Sequence, residues 1–310
     1  MGLALVFPGQ GAQVPGMGRD LADRWPEARA VFDTVDDALG ERLSDVIWGD
    51  DADALTMTAN AQPALMATSL AALAALKAEG FDMGRVDFVA GHSLGEYSAL
   101  AAAGSLDIAD AARLLRLRGQ AMQRAVPVGE GAMAALLGLD FAAAARIAAE
   151  AAGDGVCQAA NDNDPGQVVI SGHKAAVERA CALAKEAGAK RAVMLPVSAP
   201  FHCALMEPAA ERMEAALADA RIGAPAMPLV ANVTAAGVTD PEEIRRLLVA
   251  QVTGSVRWRE SVQWMAGHGV TGMWEVGAGK ALAGMIRRID KSVAVRSIGT
   301  PDDVIAAMEG

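Results

Sequence analysis

The segment Val86-Asp87-Phe88-Val89-Ala90-Gly91-His92-Ser93-Leu94-Gly95-Glu96 decides the fold, because a short apolar run passes through a glycine-flanked serine directly into a helical pattern. Val86–Ala90 is typical of a buried strand and Leu94–Ala103 of a helix. Between them, G-x-S-x-G forms a sharp turn that lifts the serine oxygen off the end of a sheet. The helix start also points the Leu94 N–H at any oxyanion formed on Ser93. This context favours a nucleophilic Ser93 over an incidental serine in a tight turn.

Strand and helix patterns alternate on both sides of that turn. The runs expected to be strands are Leu3–Phe7, Leu229–Val233, Met273–Val276 and Val293–Ile298. The helical patterns are Gln62–Ala78 with Pro63 in its first turn, Asp110–Ala125, Pro241–Gln251, Trp258–Ala266 and Lys280–Ile289. This alternation predicts an α/β sandwich around a mostly parallel sheet.

The middle of the chain has a different order of elements, β-α-β-β-α-β, which is the ferredoxin-like pattern. The expected elements are strands at Gly131–Leu139, Val156–Ala160, Gln167–Ser171 and Arg191–Pro196, helices at Phe141–Ala152 and Lys174–Ala187, and a turn at Asp162–Gly166. We interpret residues 127–196 as a small domain inserted into a large α/β catalytic domain of residues 1–126 and 197–310. A cleft between the two is the expected site.

Composition restricts the class of protein. The 310 residues can bury a sizeable core, and a net charge of −11 disfavours a nucleic-acid partner. Cys157, Cys181 and Cys203 fit neither a disulfide framework nor a metal-ligand spacing, so we predict no metal and a reducing, cytoplasmic location. No run approaches the ~18 apolar residues of a membrane span. The first apolar run is interrupted at Pro8-Gly9, which favours a first strand over a signal peptide.

A serine nucleophile needs a base, and the chain has four histidines. His92 adjoins Ser93, where neighbouring side chains diverge, while His173 and His268 lie at expected helix ends. His202 follows a loop at which the chain re-enters the large domain, so by elimination it is the expected base. No Asp or Glu stands out as a third triad member, and a backbone carbonyl could orient the imidazole instead.

Two glycine-rich turns are similar to nucleotide-binding loops but lack required residues. In the turn at residues 9–14, Val14 replaces the third glycine of G-x-G-x-x-G. In the turn at residues 277–281, Ala281 stands where a Walker A loop needs Ser or Thr. We therefore expect the second turn to line the pocket and the first to bring backbone N–H groups close to a ligand.

Arg118 lies on an expected helix, where most arginines are solvated.

The ordered motifs are Phe7–Gly11, Gln62–Leu65, Gly91–Glu96, Arg118-Gly119, Asn161 with Gln167–Gly172, Pro200–His202 and Val256–Trp258. Together they span nearly the whole chain, and jointly they are far more specific than any one alone. The chain resembles the malonyl-CoA:acyl-carrier-protein transacylases of dissociated fatty-acid synthesis. That resemblance implies a hydrolase-like α/β core with a ferredoxin-like insert. Ala12 and Ala278 depart from a frequent Ser and a frequent Pro, and neither removes an assigned group.

The resemblance also implies a role for individual residues. These are Ser93 as nucleophile, His202 as base, the backbone N–H groups of Gln10 and Leu94 as oxyanion hole, Arg118 as the carboxylate-binding group, Asn161 as a pocket residue, and the Gln251 carbonyl as the group that orients His202. Malonyl-CoA is then the substrate and an acyl carrier protein the partner, with no permanently bound cofactor, and we expect a monomer.

Because both enzyme and carrier are acidic, docking needs a local basic patch. The candidates are Lys185, Lys190 and Arg191 on the insert, or Arg287, Arg288 and Lys291 on the large domain.

Three other interpretations remain open. A serine esterase or thioesterase shares the turn and the base, but would release free acid and would not require Arg118. A malonyl-loading subunit of a malonate decarboxylase would differ in its carrier. A non-catalytic scaffold would carry no acyl group on Ser93.

Overall fold

The computed structural model describes residues 2–197 and 199–309. The predicted domains at 1–126 with 197–310 include Met1, Ser198 and Gly310, which lie outside the described residues. No helix in the described ranges is long and apolar enough to cross a membrane.

The strands of the described residues form two separate sheets. They are β1 Gly2–Phe7, β2 Phe88–Gly91, β3 Gly131–Leu137, β4 Cys157–Asp164, β5 Gln167–His173, β6 Arg191–Met194, β7 Leu229–Val230, β8 Gly237–Val238, β9 Val270–Val276 and β10 Ala294–Ile298. The larger sheet has the order β10-β9-β1-β2-β7-β8. Its neighbours are parallel except for β7 and β8, so the mostly parallel sheet is confirmed.

Helices cover both faces of this sheet, and two helices pack against the smaller one. They are α1 Arg19–Arg24, α2 Pro26–Leu39, α3 Leu43–Trp48, α4 Ala52–Thr56, α5 Thr58–Ala78, α6 Gly95–Ala102, α7 Ile108–Arg124, α8 Phe141–Ala152, α9 Lys174–Glu186, α10 Glu207–Asp219, α11 Pro241–Thr253, α12 Trp258–Gly267, α13 Ala281–Ile289 and α14 Pro301–Glu309. The sequence patterns missed α1 to α4, α10 and α14.

Pro63 lies inside α5, not in its first turn as predicted, because α5 begins at Thr58. A proline inside a helix leaves the carbonyl four residues earlier without its N–H donor. Here that carbonyl belongs to Ala59, and Arg116 Nη1 donates to it at 2.7 Å. The arginine of the neighbouring helix α7 thus replaces the missing hydrogen bond.

The smaller sheet is antiparallel, in the order β4-β5-β3-β6, and packs with α8 and α9 around its own apolar cluster. The predicted turn at Asp162–Gly166 is shorter than expected, because β4 continues through Asp164 with two bulges. This extension has a physical cause outside the sheet. The Asp162 N–H donates to the Val256 carbonyl at 2.9 Å, and the Val256 N–H donates to Ala160 at 2.8 Å. Backbone pairing therefore joins β4 to the larger part of the molecule.

Candidate active site

Ser93 sits at the end of β2 in a left-handed backbone conformation, with φ of 53°. The flanking glycines allow this turn. A Cβ on Gly91 would lie 1.9 Å from the Gly95 carbonyl, and a Cβ on Gly95 would lie 2.3 Å from the Phe7 carbonyl oxygen. Only glycine fits at both positions, so the turn brings α6 directly against β1.

The Ser93 hydroxyl lies 2.8 Å from His202 Nε2. His202 also has positive φ, at 58°, and its ring is buried. Its Nδ1 lies 2.9 Å from the Gln251 carbonyl and 3.2 Å from the Gly254 carbonyl. Two carbonyl acceptors require the proton on Nδ1, which leaves Nε2 free to accept from Ser93.

Burial and, to a smaller extent, the nearby Arg118 cation together lower the pKa of His202 to about 3, against the opposing effect of the carbonyl acceptors. The imidazole is therefore neutral at physiological pH. A neutral imidazole is the form that can take a proton from a serine hydroxyl.

Arg118 lies on α7 with its side chain 1% exposed, which overturns the surface role that is usual for a helical arginine. Nη1 donates to Gln62 Oε1 at 2.9 Å, and Nη2 donates to Gln251 Oε1 at 2.8 Å and to Ser93 Oγ at 3.1 Å. Nε has no partner among the described residues. Burial lowers the pKa of Arg118, while Tyr97 and Glu96 oppose that shift. A buried cation with a spare donor is suited to bind an anion.

These groups face one cavity of about 520 Å³ between the two sheets. Gln10 and Leu94 line it, and within the described ranges neither backbone N–H has a hydrogen-bond acceptor. Asn161 lines the opposite wall from β4, and Phe201 lies beside His202. The structure thus brings the side chains of Ser93, His202, Arg118 and Asn161 to the same cavity, together with the two free N–H groups.

The other histidines lie elsewhere or point away from the serine. His92 Nε2 pairs with Asn163 Oδ1 at 2.9 Å, and the ring of His173 accepts from the Val156 N–H at 2.9 Å. His268 ends α12, where its Nδ1 lies 2.7 Å from the Trp264 carbonyl. Among these four, only His202 contacts Ser93 in the part of the chain that the structure describes.

Three buried residues that surround the serine and Arg118 were not predicted as part of the site. Glu96 and Gln62 fall inside quoted motifs, which was the available signal, whereas nothing in the sequence marked Asn232. The Gln251 position was assigned for its carbonyl alone, yet its side chain also binds Arg118. Burial raises the pKa of Glu96 to about 7, although hydrogen bonds from Asn232 and Gln251 and the charge of Arg118 oppose this.

Within the described residues, no cluster of three or more His, Cys, Asp or Glu side chains is arranged to hold a metal ion.

The fold and this constellation define an acyl transferase: the family model described as acyl transferase domain matches residues 4–293. The chain is 44% identical over 308 residues to the malonyl CoA-acyl carrier protein transacylase of Bacillus subtilis, covering 99% of this chain and 96% of the relative. It is 46% identical over 307 residues to the Escherichia coli protein of the same name, covering 99% and 98%. The chain belongs to the malonyl CoA-acyl carrier protein transacylase family.

Solved structures agree with this assignment. The acyl-carrier-protein-S-malonyltransferase of Bartonella henselae has a TM-score of 0.97 at 54% identity, over 100% of this chain and 99% of that chain. A malonyl-transacylase solved in complex with its type II PKS acyl-carrier protein has a TM-score of 0.96 at 41% identity, over 100% and 99%.

Proposed function

We propose that this chain transfers the malonyl group of malonyl-CoA to the phosphopantetheine thiol of an acyl carrier protein, through a malonyl ester on Ser93, and so feeds fatty acid synthesis. One observation carries the proposal: Ser93 Oγ contacts both a neutral imidazole, at 2.8 Å, and a buried guanidinium, at 3.1 Å. The printed names of the relatives support malonyl-CoA as donor and an acyl carrier protein as acceptor.

In the first half-reaction, His202 Nε2 takes the hydroxyl proton as Ser93 Oγ attacks the thioester carbonyl. The developing oxyanion accepts from the free N–H groups of Gln10 and Leu94, each contributing on the order of 3 kcal/mol. The carbon–sulfur bond then breaks, and His202 returns its proton to the coenzyme A sulfur. The Gln251 carbonyl holds Nδ1–H throughout, so the ring keeps its tautomer.

The second half-reaction runs in reverse with another thiol. The carrier's phosphopantetheine sulfur loses its proton to His202 and attacks the malonyl ester carbonyl. Collapse of the intermediate breaks the bond to Ser93 Oγ, which recovers the proton from His202. Because coenzyme A leaves before the carrier reacts, the kinetics are ping-pong.

Acyl selectivity follows from Arg118 in this account. A malonyl carboxylate pairs with the guanidinium in a fork-like contact, whereas an acetyl group leaves a buried cation without its anion. Asn161 lies on the facing wall, where its side chain amide can hold the bound acyl group in place. The site therefore favours acyl groups that end in a carboxylate.

We also propose a hydrolase-like core of residues 1–126 and 197–310, with residues 127–196 as a ferredoxin-like insert. The G-x-S-x-G turn at the end of a parallel strand supports the first part. The order β4-β5-β3-β6 and a separate apolar cluster support the second. We further propose that the protein is a cytoplasmic monomer. It has no permanently bound cofactor and no nucleic-acid or membrane partner in this proposal.

Of the two candidate docking patches, we favour the one at the end of α13. Ala281, Leu282 and Met285 of this helix line the cavity, so its last turn lies at the cavity's edge. Arg288 pairs with Asp164 at 2.8 Å, which leaves Arg287 and Lys291 as exposed cations to meet an acidic carrier. Lys185, Lys190 and Arg191 form the alternative patch.

The products of a single reaction test this function. The enzyme is mixed with malonyl-CoA and phosphopantetheinylated carrier, and both malonyl-carrier and free malonate are measured. We expect malonyl-carrier as the main product and no product with Ser93→Ala. Free malonate as the main product would identify a hydrolase and overturn the proposal.

A further inference from the structure

Three buried polar side chains lie behind the nucleophile without lining the cavity. Glu96, Asn232 and Gln251 are each at most 1% exposed, and they come from α6, the segment after β7, and α11. Burying a carboxylate and two amides together is costly unless their hydrogen bonds are specific. Each of these groups makes at least two hydrogen bonds to other buried or site groups.

Asn232 braces the strained turn on both sides. Its Oδ1 accepts from the Ser93 N–H at 2.8 Å, and its Nδ2 donates to the Gly91 carbonyl at 2.6 Å. Its own N–H donates to Glu96 Oε2 at 3.0 Å. A non-glycine residue at φ of 53° needs such support to remain in that conformation.

Gln251 connects the turn to the guanidinium. Its Nε2 donates to the Ser93 carbonyl at 3.0 Å and to Glu96 Oε2 at 2.9 Å, while its Oε1 accepts from Arg118 Nη2 at 2.8 Å. The two ends of an amide are not interchangeable, since one only donates and the other only accepts. An ionised Glu96 can only accept, so it draws the NH₂ end and leaves the oxygen facing Arg118.

We propose that Glu96 is a positioning residue for malonyl transfer: by fixing the amide of Gln251, it holds the Arg118 guanidinium beside Ser93 and so sets the preference for acyl groups that carry a carboxylate. This inference rests on the proposed function. Glu96 does not touch the substrate; its Oε2 acts on Arg118 through the Gln251 amide, and it also accepts from the Asn232 N–H. Without an acceptor at position 96, the amide can turn its NH₂ end toward the cation and displace it.

The test compares the ratio of kcat/KM for malonyl-CoA and acetyl-CoA at pH 8, above the pKa of about 7 for Glu96. Glu96→Met keeps the length of the side chain but removes the acceptor, and we expect the ratio to fall about tenfold, as for the loss of one charge-assisted hydrogen bond. Glu96→Gln keeps one acceptor oxygen, so we expect its ratio to stay within about threefold of the wild type.

Ser98→Ala is the matched control, because Ser98 is also fully buried on α6 and its Oγ has no partner among the described residues. Its ratio should not change. Gln251→Met is the second variant: it removes the amide, keeps the carbonyl that holds His202, and should reproduce the effect of Glu96→Met. If Glu96→Met does not fold, Gln251→Met still tests the amide through which Glu96 acts, and an unchanged ratio in Gln251→Met overturns the inference.

Rates that fall in parallel for both acyl groups in Glu96→Met or Gln251→Met would reduce Glu96 to a structural role and overturn the inference. The variant Arg118→Ala distinguishes a failure of the positioning role of Glu96 from a failure of the proposed function. If Arg118→Ala lowers the ratio and neither other variant does, only the positioning role fails. If Arg118→Ala leaves the ratio unchanged, the carboxylate-binding role fails and the inference fails with it.

Discussion

At the scale of single residues, three non-glycine residues in the described ranges have positive φ, and two of them are the proposed reacting groups. Ser93 and His202 both have positive φ, a conformation that costs of order 1–3 kcal/mol for a non-glycine residue. The surrounding hydrogen bonds offset that cost, with Asn232 at the serine and the Gln251 carbonyl at the histidine. The strain and its supports together fix the oxygen and the ring nitrogen at hydrogen-bonding distance.

The carboxylate-binding role of Arg118 predicts a change in acyl selectivity. In Arg118→Ala, malonyl transfer should fall by about 10- to 150-fold in kcat/KM, the factor for losing a charged hydrogen bond. Transfer of neutral acyl groups should rise, because no buried cation is left unpaired. Steady-state rates with malonyl-CoA and acetyl-CoA measure both. Equal losses on the two substrates would contradict the assigned role.

The neutral state of His202 predicts how stability depends on pH. Its pKa is about 3 in the fold and 6.5 in the unfolded chain, so between these values the unfolded state binds a proton that the folded state does not. Stability should therefore fall as pH drops below 6.5, by about 2 kcal/mol from this residue at pH 5. Urea unfolding at pH 7 and pH 5 measures it.

Between pH 7 and pH 5, the variant His202→Gln should lose less free energy of unfolding than the wild type. His268→Gln, which removes an exposed histidine at a helix end, serves as the control and should behave like the wild type. Equal pH dependence in His202→Gln and the wild type would show that His202 is not buried in its neutral form.

Only some residues of this site could be predicted from the sequence, and the reason is physical. Ser93 could be predicted from the sequence because its turn needs glycines at fixed positions. His202 could be predicted by eliminating the other three histidines. Asn232 has no local signal, since it follows a two-residue strand and meets Ser93 across 139 positions of sequence. Only the packing of α6 against the segment after β7 makes it part of the turn.

At the scale of elements, the start of α6 is packed closely against the backbone of β1. Gly95→Ala would place a methyl group 2.3 Å from the Phe7 carbonyl oxygen, which belongs to the backbone and cannot rotate away. We expect a loss of about 1–3 kcal/mol in the free energy of unfolding, measured in urea. Gly267→Ala, at the exposed end of α12 with open space around it, should cost far less. Similar losses in both variants would contradict this close packing.

Strand β4 shows how tertiary contacts overrule local pattern. The sequence pattern predicts a turn at Asp162–Gly166, because Asp, Asn, Pro and Gly favour turns. In the structure three of these side chains are paired: Asp162 with Arg259, Asn163 with His92, and Asp164 with Arg288. The polar run therefore remains extended at the edge of the cavity. The pattern of long helices and buried strands was predictable, whereas this strand depends on partners distant in sequence.

At the scale of the whole molecule, the cavity needs both sheets. The larger one contributes the serine turn, and α7 contributes the guanidinium, while β4 of the smaller sheet closes the opposite wall with Asn161. Arg259 on α12 binds the buried Asp162 carboxylate at 2.8 Å, which ties the two parts together beside the site. A ligand in this cavity contacts residues from nearly the full length of the chain.

The most direct test of the account is the mass of the intact protein after brief mixing with malonyl-CoA and no carrier. We predict a single malonyl adduct on the wild type, its absence in Ser93→Ala, and its loss when phosphopantetheinylated carrier is added. An adduct that persists in Ser93→Ala, or a wild-type protein that never carries one, would contradict the claim that Ser93 holds the acyl group between donor and acceptor.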